Sequence, residues 1–332
     1  MEHVLVIAEA GVNHNGKLSI AKQLVDAAKD AGADIVKFQT FNPEAISSKF
    51  AEMAQYQKDN MGVTKSQKEM LSELTLSHDD FIDLFEYCNH VGIRFLSTPF
   101  DISSITFLKR FDCGLWKIPS GEITNYPYLV EIAKTGQDII LSTGMSSLDE
   151  IHAAIDVLQD NNSGRITLLH CTTQYPTPYK YANLNAIQTL RTEFDLEVGY
   201  SDHTNGIEIP IAAVGMGAAV IEKHFTLNRN MEGPDHKASL EPGELKEMVT
   251  AIRHIEEALG DGRKVPSKVE IPNIKIARKS IVAACKISKG DILTEKNITT
   301  KRPGNGINPM LWPQILGSQA IRDFEADELI EI

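Results

Sequence analysis

Eight continuous apolar runs, starting near Val4, Ile35, Ile93, Leu115, Ile139, Ile166, Val198 and Val220, set the strongest constraint on how this chain folds. Six end in hydroxyl or charged side chains: FQT, LSTP, KIPSGE, LSTG, LLHCTT and GYSDH. The other two, IAEAG and VIEKHF, carry a Glu or a His inside the run. Runs that do not alternate are expected of strands covered on both faces. Helical patterns lie between them, over 17–31, 79–91, 102–111, 147–158, 184–194, 207–217 and 241–259, the first placing Ile20, Leu24, Ala27, Ala28 and Ala31 on one face. This alternation predicts an α/β fold, a (β/α)8 TIM barrel, which needs about 250 residues. Residues 1–262 supply them. Polar groups at the carboxyl ends of buried strands are what such a barrel uses to build one shared active site, so the chain reads as an enzyme.

The texture changes after Gly262. Residues 263–277 are charged and contain Pro266 and Pro272 without a clear period, which reads as a linker. Residues 278–332 hold short β-like pieces (SIVAA, DILTEKNITTKR, LIEI) and turns at Lys289-Gly290, Pro303-Gly304 and Asn305-Gly306, a small β-rich domain. The polar, Met- and Gln-rich insert from Asn42 to Ser77 reads as a lid or a dimer contact. The net charge of −12 speaks against a nucleic-acid surface, so an anionic substrate must meet locally concentrated Lys and Arg. With no membrane-length apolar run, no signal peptide and four unpaired-looking cysteines, the expectation is a cytoplasmic protein without a membrane partner.

Two clusters carry chemistry. His203 in GYSDHT and His224 in VIEKHF are one strand–helix unit apart, which puts both imidazoles at the tops of adjacent strands; Glu222 shares a face with His224. With Glu9, Asp202 and Asp235 nearby they suggest a mixed N/O divalent-metal site suited to Mn²⁺ or a similar ion. The second cluster is cationic. Lys37 and Gln39 share the inner face of strand two and Lys117 ends strand four, so with Ser97, Thr98, Ser120 and Ser201 they would seat a small ligand bearing phosphate and carboxylate. Structural alternatives are Lys37–Glu9 or Lys117–Glu122 ion pairs, and Lys37 as a Schiff-base nucleophile. Cys171 has no legible activating His and reads as structural.

The motifs AEAGVNHNG, VKFQTF, LSTPFD, KIPSGE, LSTGM, HCTTQYPTP, GYSDHT, IEKHFT, GPDHKASLEP, ARKSI and TTKRPGNGI, in this order, resemble the bacterial sialic acid synthase family across essentially the whole chain. The resemblance implies a barrel that condenses phosphoenolpyruvate with an N-acylated hexosamine to a nine-carbon 2-keto acid. It also implies a C-terminal antifreeze-like (SAF) domain exchanged across a homodimer. His203 and His224 then correspond to ligands of Mn²⁺ or Mg²⁺. Lys37, Thr98, Lys117, Ser120 and Ser201 correspond to the phosphoenolpyruvate seat, and Glu122, Gln39, Tyr175 and Asp235 to sugar-hydroxyl contacts. Glu9 corresponds to the active-site acid and Arg302 to the residue that holds the N-acyl group. Thr173 stands where some members carry an Asn that helps hold phosphoenolpyruvate.

Synthases for N-acetylneuraminate and for N,N'-diacetyllegionaminate share these motifs. N-acetylmannosamine is placed first as acceptor, with 2,4-diacetamido-2,4,6-trideoxymannose as the alternative and another phosphoenolpyruvate-using 3-deoxy sugar acid synthase further off. A zinc amidohydrolase would need a His-x-His pair where the chain has Asn13-His14-Asn15. A non-enzymatic carbohydrate- or ice-binding module would not keep Lys37, Lys117, His203 and His224 together.

Overall fold

The computed structural model describes residues 3–46, 48 and 66–332. Its contacts divide the chain into two compact units, Met1–Asp261 and Gly262–Ile332. In the first, eight parallel strands run β1 Leu5–Gly11, β2 Ile35–Thr40, β3 Arg94–Pro99, β4 Leu115–Ile118, β5 Asp138–Ser142, β6 Ile166–Cys171, β7 Glu197–Asp202 and β8 Val220–His224. They are ordered β3-β2-β1-β8-β7-β6-β5-β4, and the end strands β3 and β4 lie side by side, giving the (β/α)8 barrel.

The period of two along each strand divides the barrel interior by height. Low in the barrel, Ile7, Ile35, Leu96, Leu115, Ile140, Leu169 and Val220 pack into an apolar plug. Two residues further along the same faces come Glu9, Lys37, Thr98, Lys117, Ser142, Cys171 and Glu222, all buried. Outward-facing residues such as Val36, Phe38, Phe95 and Ile221 join the helices in the main core. Gly199, opposite Leu169 on β6, is required by this packing: a Cβ there would lie 2.3 Å from the Val220 carbonyl oxygen and 2.7 Å from Leu169 Cδ2.

The helices sit where the periodicity places them, with the stripe of Leu18–Ala31 made by Ala21, Leu24, Val25, Ala28 and Ala31, one position round from the predicted face. Serine capping boxes start the helices at His78 and Leu148, and left-handed Gly32 and Gly92 end two of them. An additional helix, Tyr126–Ala133, fills the β4–β5 crossover. Among the described residues the expected insert holds two helices, Pro43–Ile46 and Gln67–Leu74; most of the rest of it lies outside the described residues.

In the second unit Ser280–Ala283 pairs antiparallel with Ile298–Lys301 over a core including Ile281, Ile287, Leu293, Ile315 and Phe324. The stretch read as a linker contains a helix, Ile271–Ala277, with Pro272 in its first turn. Gly304 packs on that helix: its N–H donates to Lys275 (2.8 Å), and a Cβ there would lie 2.9 Å from the Ile274 oxygen. The glycine of the KRPGNG turn thus serves packing within its own unit. Among the described residues no helix is long and apolar enough to cross a membrane.

Gly199→Ala should lose about 1–3 kcal/mol of barrel stability through overpacking. Urea unfolding measures it, and an unchanged midpoint would refute the packing argument.

Candidate active site

One cavity of ≈ 320 Å³ at the carboxyl ends of the strands gathers twelve of the residues singled out from sequence: Glu9, Lys37, Gln39, Thr98, Lys117, Ser120, Thr173, Tyr175, Ser201, His203, His224 and Asp235. At its floor, four charged groups share a space from which water is largely excluded. Lys37 Nζ lies 2.7 Å from Glu9 Oε2 and 3.8 Å from Glu222 Oε2, and Lys117 Nζ lies 3.5 Å from the same Glu222 oxygen. Hydroxyls complete the set. Lys37 donates to Thr98 (2.9 Å), Lys117 to Ser142 (2.8 Å), and Ser201 to Glu222 Oε1 (2.9 Å). Gln39 Nε2 donates to Glu9 (3.0 Å).

Burial and charge oppose each other at every one of these groups. Burial alone would raise Glu222, but Lys117 and Lys37 outweigh it and hold the carboxyl at about 2. At Glu9 burial wins over the pull of Lys37, and its pKa is raised. Burial would lower Lys37, which Glu222 and Glu9 overcome, whereas Lys117 stays lowered by burial despite Glu222. Asp235, on the loop after β8, is pushed up to about 7 by burial and then by Glu9.

The histidines stand with ring centroids 5.6 Å apart, and Tyr175 packs 4.1 Å from the ring of His203. His203 Nδ1 lies 2.7 Å from the Thr172 carbonyl oxygen. A carbonyl only accepts, so Nδ1 carries the proton and Nε2 keeps its lone pair. His224 Nδ1 is buried without a partner. Burial lowers the pKa of both rings, His224 further because His203 is beside it, so both are neutral at pH 7. Two neutral imidazoles, one with its second nitrogen anchored to a carbonyl, fit a divalent ion. Among the described residues no group of three or more His, Cys, Asp or Glu is placed to hold one, so the protein's share would be this pair, with other positions left to water or substrate oxygen.

The structure corrects several assignments. Ser97 alternates with Thr98 and faces the helices, bonded to Thr40 (2.7 Å), so it leaves the anion seat. Asp202 also faces outward; its fully buried carboxylate takes Lys223 Nζ at 2.5 Å and the Thr204 N–H at 3.0 Å, away from the histidines. Lys117 pairs with Glu222 rather than with Glu122. Glu122 does not line the cavity and accepts from Asn125 Nδ2 (2.6 Å). Arg302 needs no such correction: it lies in the second unit, as expected of the small domain, where Nε donates to the Ala277 oxygen (3.0 Å). Cys171 lines the cavity 3.2 Å from Ser120 Oγ, but burial raises its thiol pKa, which suits no nucleophile.

Sequence reasoning assigned no role to Glu222, Ser142 or Lys223. Glu222 and Ser142 were findable by stepping two residues along strands whose inner face was already fixed. Lys223 and Asp202 tie the ends of β7 and β8 behind His203, because Lys223 Nζ also donates to the Thr204 oxygen (2.5 Å). On the other side, Asn13 Nδ2 donates to the Phe225 oxygen (2.8 Å) and Ser239 Oγ (3.0 Å), and Ser239 donates to the Asp235 oxygen (2.7 Å), which braces the Asp235 loop.

Two predictions follow from these supports. Lys223→Met leaves a buried carboxylate unpaired and should cost about 3–5 kcal/mol, part of which Asp202→Asn in the same chain restores. Additive losses in chemical denaturation would show the pair to be uncoupled. His14 and His236 are each lowered by burial to about 4. The unfolded chain takes up protons near pH 6.5 and the folded chain does not, so stability is full above that pH and falls as pH drops toward 4. At pH 5 the loss should be about 2 kcal/mol per histidine. Melting temperature should therefore fall less steeply between pH 7.5 and 5 in His14→Asn and His236→Asn than in the parent, and parallel curves would sink the assignment.

Buried lysines, carboxylates and a neutral histidine pair at the strand ends of a (β/α)8 barrel define the candidate active site of an enzyme. The chain matches the NeuB family over residues 24–264 and the SAF domain over residues 278–331. It is 53% identical over 332 residues to the N,N'-diacetyllegionaminic acid synthase of Campylobacter jejuni, covering 99% of each chain. To the protein of the same name in Legionella pneumophila it is 48% identical over 325 residues, covering 97% of this chain and 91% of that one. Its structure matches the N-acetylneuraminic acid synthetase of Leptospira borgpetersenii with a TM-score of 0.72 at 37% identity, over 82% of this chain and 90% of that one. The chain belongs to the NeuB family. It is an enzyme, a carbon–carbon bond-forming transferase.

Proposed function

We propose that this enzyme is an N,N'-diacetyllegionaminate synthase, joining phosphoenolpyruvate to 2,4-diacetamido-2,4,6-trideoxymannose to give a nine-carbon 2-keto acid and phosphate. The supporting observation is end-to-end identity of 53% and 48% to two synthases of that product, against 37% to the N-acetylneuraminic acid synthetase. This reverses the order of acceptors drawn from sequence, where the shared barrel motifs do not distinguish them.

In this reading Lys37, Lys117, Thr98, Ser120, Ser142 and Ser201 receive the phosphate and carboxylate of phosphoenolpyruvate, and His203 and His224 face the acceptor's aldehyde. A divalent ion, Mn²⁺ or Mg²⁺, held by the two imidazoles supplies Lewis acidity at the aldehyde oxygen when bound. The C3 carbon of phosphoenolpyruvate forms the new bond to the aldehyde carbon, leaving positive character at C2. Water adds there, and phosphate leaves with cleavage of its bond to C2. Glu9, an acid whose pKa burial raises, is suited to take the proton from that water, matching the proton that the aldehyde oxygen needs to become a hydroxyl. Gln39, Tyr175 and Asp235 line the space left for the sugar, and Thr173, which adjoins Ser120 beside Gly144, goes with the phosphoenolpyruvate seat. The reading includes a cytoplasmic homodimer in which Arg302 of one copy serves the barrel of the other; activity regained on mixing Arg302→Ala with His203→Ala protomers tests that exchange.

Incubation with phosphoenolpyruvate, Mn²⁺ and a panel of N-acyl hexosamines tests the main reading by phosphate release. The diacetamido-trideoxy sugar should give the highest kcat/KM, chelation should abolish turnover, and Lys117→Met should raise the KM for phosphoenolpyruvate at least about tenfold by removing a charged hydrogen-bond donor. Preference for N-acetylmannosamine would overturn it.

A further inference from the structure

The cavity has two unlike walls. The strand ends supply its charged and hydroxylated side. Between Phe41 and Leu74, by contrast, every described lining residue except Gln67 is apolar. Met70 and Leu74 are buried with Val12 and Phe41 and fasten the helix Gln67–Leu74 to the barrel. Ile46, Leu71 and Phe100 are only partly buried and line the cavity. They pack on that cluster with one side, Phe100 edge-on to Phe41 at 6.4 Å between ring centroids, and turn the rest of their apolar surface to the cavity.

We propose that Ile46, Leu71 and Phe100 form a subsite for the far end of the acceptor, and that it reads the acetamido methyl at C4 and the methyl at C6. This rests on the acceptor proposed above. The reacting aldehyde belongs with the histidines and phosphoenolpyruvate with the lysines; Gln39, Tyr175 and Asp235 line the space for the sugar's nearer carbons, and the carbons beyond them meet the apolar wall. The two methyls bury apolar surface there. N-acetylmannosamine carries hydroxyls at the same carbons, and a hydroxyl pressed on an apolar wall loses its water without gaining a partner. Such a wall separates the two acceptors by what it fails to bond as well as by what it packs.

The test measures kcat/KM for both acceptors at saturating phosphoenolpyruvate with Mn²⁺, in the parent, Leu71→Ser and Ile46→Ser. Each substitution should narrow the preference for the diacetamido sugar by about tenfold or more, the scale of one methyl group in an apolar pocket, with the KM for phosphoenolpyruvate within about twofold of the parent. Leu71→Met, which keeps the surface apolar, should retain the preference. If Leu71→Ser melts below the assay temperature, Ile46→Thr at the rim carries the same comparison. A parent that prefers the diacetamido sugar, with variants that keep the full preference, overturns the subsite alone. A parent that prefers N-acetylmannosamine overturns the proposed function instead.

Discussion

One carboxylate, Glu222, faces two ammonium groups inside the barrel, and the rest of the site is arranged around that contact. Lys37 arrives from β2, two strands round from β8, and Lys117 from β4, across the barrel from β8; neither could be buried beside the other without an anion between them. Glu9 on β1 adds the second negative charge, so with every group ionised the quartet sums to zero. That neutrality lets the site persist without a ligand. It also limits ligand binding, because an incoming phosphate must compete with carboxylates already in place. The lowered pKa of Lys117 is the sign of a cation under-served by its neighbours, and an anion placed beside it would favour its charged form. The lysine bonded least closely to carboxylates is therefore the one with most to gain from a bound anion.

The histidines are held by different means. His203 is fixed from behind twice, by the Thr172 carbonyl on its ring and by the Asp202–Lys223 pair that ties its strand to β8. That pair is a poor source of stability compared with apolar side chains of equal size. Its value lies in geometry: Asp202 and Lys223 are in register, as are Ser201 and Glu222 one step earlier, so the outward pair and the inward pair lock the same two strands from both faces. A slip of one residue would turn Glu222 outward and bring Lys223 into the cavity.

Much of this was legible in the sequence because strand ends in a barrel converge. The interval between His203 and His224 matches one strand–helix repeat, and Lys37 and Gln39 could be assigned to one face from the period of two. What failed was the choice of face where two polar residues stand together. Ser97-Thr98 and Asp202-His203 each offer a side chain to both sides, and continuous apolar runs carry no alternation by which to decide. Only the register with Phe38 and Lys223 resolves them. Lys223 escaped notice for a related reason: an outward position on a buried strand is expected to be apolar, and a charge is stable there only with its partner, which belongs to another strand. The helix Tyr126–Ala133 is short and has Pro127 in its first turn, so it gave too few residues for a period to emerge.

In the proposed reading, chemistry and selectivity are carried by different parts of the chain. The groups that meet the charged reactant and the bond being made come from β1 to β8, where the interlocked packing below them fixes their positions. The apolar wall comes from the segment inserted after β2, attached through Met70, Leu74, Val12 and Phe41, a cluster separate from the main core. Substitution at Ile46 or Leu71 therefore leaves the apolar plug and the charge quartet untouched, whereas any change at Glu222 disturbs both lysines at once. On that reading, such a barrel can alter its acceptor through a few side chains of the insert's helices while the anion seat stays as it is. This is the separation expected where loops carry specificity and strand ends carry reaction chemistry.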